Sequence, residues 1–219
     1  MGTLRFTLVS DGSSDSTLLS VIEWLLNDLY PNLPIKGEYA DFRGLNQRIS
    51  CSDVKKRVQS AKAYYPFDIC IYHRDAEKND INQVYIRKDE ILSQLEEQDR
   101  EKVVCLVPVR MMETWFLTDE LAIRKAASNQ NGRIELQLPK LNKLETISDS
   151  KTMLHDLLKS ATGNNSRRLK KFNVEQAVHY VAENTEDYSK LRSLKAFNIF
   201  EEDLKEKVDA FLNRHNLSE

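Results

Sequence analysis

Two aspartates four residues apart, Asp11 and Asp15, interrupt "LRFTLVSDGSSDSTLL" where an apolar run gives way to an amphipathic one. Asp75 and Glu77 close the run "FDICIYHRDAE", and Glu113 follows "KVVCLVPVR" just ahead of the apolar "TWFL". Clustered carboxylates repel one another, so a group of them persists in one place only when a cation neutralises it. Their hard oxygens suit magnesium or manganese. An ion held in that way polarises a phosphoryl oxygen, activates water and stabilises a departing oxygen. Each acid also has an ordinary reading: Asp11 and Asp15 as turn and cap residues, Asp75 and Glu77 as a solvated strand exit beside Arg74, Glu113 as a structural acid. The chemical reading requires that distant segments bring them together.

The elements that must do so follow from periodicity. "LRFTLV" reads as a buried strand, followed by a helix from about Ser14 to Tyr30 with Leu18, Leu19, Ile22, Leu25, Leu26 and Leu29 on one stripe. "IKGEYADF" is extended and leads through "GLNQ" to a basic helix from about Ser52 to Ala63. A third strand ends in "HRDAE", a long polar helix runs to about Asp99, and "KVVCLVPVR" supplies a fourth strand. Strands separated by helices predict an α/β fold with a mostly parallel, Rossmann-like sheet covered on both faces. Residues 1–126 are expected to form this core, and 127–219 a helical extension packed on it. Within the extension, Ser150, Asn173 and Asn198 are the expected N-caps of three helices. In such a sheet, ligands bind beyond the carboxyl ends of the strands, where these acids stand.

Composition narrows the function classes. With 219 residues, 41% hydrophobic, 30% charged and a formal net charge of -2, the chain reads as globular and carries no bulk cationic field. No apolar run is long enough to span a membrane and no secretory leader opens the chain, so a cytoplasmic protein without a membrane partner is expected. Cys51, Cys70 and Cys105 lack metal-ligand spacing and read as small core residues of a reducing compartment. His73, closing a strand, reads as a hydrogen-bonded structural residue, and His155, His179 and His215 form no ligand set. "DGSSDS" lacks the lysine and glycines of a phosphate loop, and no G-x-S-x-G elbow is present. Trp24 and Trp115 read as core.

In order, "LVSDGSSDSTLL", "CIYHRDAE" and "VPVRMMETWFLTD" resemble the motifs of a Toprim-like family, an uncharacterised bacterial group related to the Toprim domains of overcoming-lysogenization-defect nucleases. Asp11 stands where the E-G-x-x-D signature has its glutamate, followed by Gly12 and Asp15. Asp75 matches the first acid of the D-x-D motif, with Glu77 in place of the second. Glu113, Trp115, Phe116, Leu117 and Asp119 resemble an E-x-W-L-L-A-D segment, and "DYSKLRSLKAFNIFEEDL" resembles the family's closing segment. The two exchanges keep charge but change reach by one methylene, roughly 1.3 Å, at positions where magnesium is strict about geometry.

The resemblance implies a divalent-metal-dependent phosphodiester hydrolase, a Toprim-type nuclease using Mg2+ or Mn2+. Asp15, Asp75, Glu77 and Glu113 would hold the metal, with Asp11 and Asp75 catalytic. Phosphates would meet Arg74 and the cluster Arg167, Arg168, Lys170 and Lys171 of "NNSRRLKKF", which reads equally as a solvated face, while Lys55, Lys56 and Arg57 form a further basic cluster that reads more as a solvated face. The implied substrate is DNA or RNA, the setting phage or mobile-element defence, and the protein partner one such as an ATPase encoded nearby. Two alternatives stay open: a catalytically weak or inert module that binds a partner protein, and an enzyme acting on a small phosphate ester.

Overall fold

The computed structural model describes residues 2–44, 49–163 and 166–216, with 215 and 216 as backbone only. Most of the "GLNQ" connection, Asn164 and Asn165 of the basic segment, and the His215 side chain lie outside the described residues.

Four parallel strands, β1 (Leu4–Val9), β2 (Ile35–Tyr39), β3 (Ile69–His73) and β4 (Val103–Leu106), pair in the order β2-β1-β3-β4. Every residue of β3 and β4 is buried, as continuous apolar runs in a parallel sheet require. The connecting helices are α1 (Leu18–Leu29), α2 (Val54–Tyr64) and α3 (Ile81–Leu92). Right-handed crossovers in this strand order place α1 on one face and α2 and α3 on the other. The apolar clusters divide accordingly. Leu4, Phe6, Leu8 and Ile71 pack with Val21, Ile22 and Leu25 of α1. Cys70, Tyr72 and Cys105 pack with Val58 of α2 and Val84 of α3.

The remaining helices are α4 (Glu97–Arg100), α5 (Glu120–Ala126), α6 (Ser150–Ala161), α7 (Ser166–Lys171), α8 (Val174–Asn184) and α9 (Lys195–Asn216). Leu154, Leu158, Val181, Phe197, Phe200 and Leu204 from this part join the α1-side cluster, so one apolar body runs from Leu4 to Phe211. Trp115 lies within it, fully buried, its ring centroid 5.3 Å from Phe197 and 6.3 Å from Phe200. Trp24 is only partly buried, under the Arg192 guanidinium. Among the described residues no helix is long and apolar enough to cross a membrane.

Several boundaries differ from expectation, each for a local reason. The polar helix stops at Leu92 because the chain turns to bury Leu95 and to present Gln94 Oε1 to the Val54 N–H at the start of α2. Asp149, not Ser150, caps α6, accepting from the Thr152 N–H. Ser150 is instead buried, its hydroxyl 2.7 Å from that of Thr114. Asn173 caps α8 as anticipated. Asn198 falls inside α9, which begins three residues earlier at Lys195.

Gly37 on β2 tests the register directly. It pairs with Phe6, and a Cβ there would stand 2.4 Å from the ring's Cζ. Gly37→Ala is expected to destabilise the protein by about 1–3 kcal/mol through overpacking, readable in a denaturant melt.

Candidate functional site

The strand order reverses between β1 and β3, so the chain leaves these neighbours toward opposite faces and opens a crevice at their carboxyl ends. Here lies a cleft of about 620 Å³ lined by Asp11, Asp15, His73, Arg74, Asp75 and Glu77, with Cys51 and Arg87 at its sides. Sequence-distant acids from the exits of two strands therefore share one opening.

Beyond β1 the chain enters a 3-10 helix, Ser13–Thr17. Asp15 is fixed there by two hydrogen bonds, Oδ2 accepting from the Gly12 N–H at 3.0 Å and Oδ1 from the Ser14 hydroxyl at 3.2 Å. The structural reading of Asp15 is thus correct, but the same bonds lock the carboxylate in place. Asp15 Oδ2 stands 4.0 Å from His73 Nε2, and Asp75 Oδ1 stands 3.6 Å from the same atom.

His73 is 2% exposed, and its Nδ1 is 3.0 Å from the Leu106 carbonyl oxygen on β4. A carbonyl can only accept, so Nδ1 carries a proton and Nε2 faces the acids. A lone pair on Nε2 opposed to two carboxylates is repulsive, so the trio calls for a proton or a metal cation among its members. The hydrogen bond to Leu106 is what the sequence reading anticipated for His73. Its placement between the acids had no signal in the sequence, because that depends on β1 lying beside β3.

Asp75 accepts from the Met112 N–H at 3.0 Å, which ties the exit of β3 to the 3-10 helix Met112–Leu117. Burial, with Glu113 and Asp15 nearby, pushes the Asp75 carboxyl up to about 6, against the opposing influence of His73 and the Met112 N–H. Glu113 is 7% exposed, and no hydrogen bond or ion pair among the described residues reaches its carboxylate. Its oxygens nevertheless keep contact with solvent, since neither counts among the buried polar side-chain atoms left without a partner.

Other expected members sit differently. Glu77 lines the cleft, but its backbone is left-handed, with φ of 62°, so the alternation of an extended chain does not place it beside Asp75. Its side chain is 76% exposed and pairs with Arg87 at 3.2 Å. Asp11 is half-exposed and pairs with Arg74 Nε at 3.3 Å, while the Arg74 guanidinium also bonds the Cys51 carbonyl. Among the described residues no group of three or more His, Cys, Asp or Glu stands in metal-holding geometry. Magnesium, however, is commonly held by only one or two carboxylates, with water and substrate phosphates completing its shell. Asp15 and Asp75 fit that donor set, while a closed protein cage does not fit.

The two basic clusters sit in different settings. Arg167, Arg168, Lys170 and Lys171 form the short, exposed α7, and none of the residues lining the cleft comes from it. Arg57 does not belong to a solvated face. It is 5% exposed, bonds the Ser10 carbonyl and lies 4.9 Å over the Phe42 ring. The signal was present, since Val54, Arg57, Val58 and Ala61 follow the helical stripe that α2 buries. Cys51 is exposed at the mouth of the cleft, unlike the buried Cys70 and Cys105.

A scan against protein-family models, a search of curated proteins and a search of solved structures each returned no match.

Proposed function

We propose that the chain is a divalent-metal-dependent phosphodiester hydrolase of the Toprim type, acting on DNA or RNA with Mg2+ or Mn2+ at the acid cleft. The observation carrying this reading is the convergence of Asp15 and Asp75 on Nε2 of the buried His73 at the crevice between β1 and β3, with Glu113 close enough to help raise the Asp75 carboxyl. When bound, the metal supplies charge stabilisation at the phosphoryl group and an activated water. Asp15 and Asp75 would hold it, and Glu113 would add negative charge near Asp75. His73, fixed by the Leu106 carbonyl, orients toward both carboxylates. Arg74 and Arg87, each neutralised by a cleft acid in this state, are placed to turn onto phosphate oxygens. Asp11 stands at the cleft edge for proton transfer.

Purified protein incubated with plasmid, single-stranded DNA and tRNA, with magnesium or manganese, tests this. Cleavage that needs metal and disappears in Asp75→Ala is expected; cleavage that Asp75→Ala leaves intact would show the site to be elsewhere.

A second reading draws on the displaced Glu77 and the lack of a three-donor group among the described residues: a weak or inert module that binds a partner protein, such as an ATPase encoded nearby. Calorimetric titration with manganese separates the two, since no heat at millimolar metal favours the module. A cytoplasmic setting agrees with three unpaired thiols, and a role in defence against phage rests on the motif resemblance alone.

A further inference from the structure

A second cavity, of about 600 Å³, adjoins the acid cleft on the β2 side. Its walls include Tyr39, Phe42, Ile49 and Arg57, and it shares Asp11 and Cys51 with the cleft. The construction differs from that of its neighbour. This cavity is polar too, with Asp11 and the paired Asp41 and Arg43 in its lining, but it adds two aromatic rings and an aliphatic side chain beside Arg57, which the cleft lacks. Aromatic faces with arginine in a cavity of this size are what bind a planar, partly polar ring.

The rings are held rather than floating. The Tyr39 hydroxyl donates to the Gly12 carbonyl at 2.8 Å. Phe42 is braced by the Arg57 guanidinium over its face and by the Tyr65 ring edge, centroids 6.2 Å apart. Arg57 is itself pinned to the Ser10 carbonyl at the end of β1. A fixed aromatic surface costs little order on binding, which is what a stacking platform needs.

Position supplies the occupant. The acid cleft lies over the β1–β3 crevice and the second cavity over β1–β2, so the two are offset by about one strand spacing, ~4.8 Å. That offset is comparable with the reach from a phosphodiester to the base it carries. We infer that this cavity is a nucleobase subsite, which takes one unstacked base of a single strand or frayed end while the adjoining phosphate lies in the acid cleft. The inference rests on the phosphodiester reading of the cleft and narrows its substrate to nucleic acid with an unpaired base at the point of attack. Every base has a stackable face, so the subsite selects for strandedness before sequence.

The probe is a short single-stranded oligodeoxynucleotide carrying one 2-aminopurine, whose fluorescence falls on stacking, titrated with calcium in place of magnesium so that a cation faces the phosphate, with cleavage followed separately on a gel. Wild-type protein is expected to quench the probe, Phe42→Trp to keep the quench, and Phe42→Ala to bind at least about fivefold more weakly. If Phe42→Ala melts early, Ile49→Trp, which narrows the cavity, carries the same expected loss. The same probe annealed to its complement is expected to bind more weakly than the single strand. Absence of quench with wild type, or equal affinity in the fully folded variants, overturns the subsite. Quench without metal-dependent cleavage retains the subsite and removes the hydrolase reading; cleavage without quench does the reverse.

Discussion

Asp75→Asn is expected to abolish metal-dependent cleavage, by at least about 100-fold, while making the protein more stable at neutral pH. The two effects have one cause. In the wild-type fold the Asp75 carboxyl titrates at about 6, against 3.8 for the ordinary group, chiefly because it is buried beside Glu113 and Asp15. Below about pH 4 both folded and unfolded chains carry the proton and nothing distinguishes them. As pH rises toward 6 the unfolded chain releases its proton first, so wild-type stability falls, and the loss is complete above the folded-state value. Taken at face value the difference is worth about 3 kcal/mol. Because 35% of the side chain remains exposed, about 1–2 kcal/mol is the better expectation. Asparagine can still accept the Met112 N–H bond but carries no charge. Its melting temperature in EDTA should therefore exceed that of wild type by roughly 2–8 °C at pH 7.5 and match it at pH 4. A residue kept for packing would behave oppositely, and lower stability at pH 7.5 would remove Asp75 from the functional set.

Trp115→Ala is expected to produce the largest loss of stability. Its ring is fully buried and meets Phe197 and Phe200 of α9. Removing a buried indole costs about 3–5 kcal/mol through lost burial and the cavity left behind. For a chain of this size that corresponds to roughly 6–20 °C in melting temperature. The consequence reaches the cleft, because Trp115 shares its 3-10 helix with Glu113 and with Met112, whose N–H holds Asp75. Cleavage measured well below the melting point should fall as well, whereas Gly37→Ala, on the edge strand β2, should change stability without changing the cleft. Equal activity in Trp115→Ala would mean that the acids are positioned independently of α9.

Much of the fold was legible because its signals are local. Three apolar runs and the mixed segment of β2, separated by helices, specify a parallel sheet with both faces covered, and the exits of β1 and β3 fall where buried residues give way to acids and turn formers. Asn173 as a cap, and Cys70 and Cys105 as core residues, follow from immediate neighbours in the chain. The short-range choices that failed, Ser150 and Asn198, did so where a distant partner won. Ser150 is drawn inward by Thr114, and α9 starts early, with the Lys195 and Ala196 N–H groups donating to Glu145.

What the amino-acid order determined by itself was therefore the class of the fold and the end of the sheet at which the acids gather, since periodicity and strand boundaries are properties of a few consecutive residues. Tertiary structure alone decided which acids meet. It set Asp15 and Asp75 against the imidazole of His73, brought Glu113 near Asp75, turned Glu77 outward to Arg87 through a left-handed backbone, and folded Arg57 beneath Phe42 to wall the second cavity. Each of these depends on strands far apart in sequence lying side by side, and hydrophobic periodicity carries no information about such pairings.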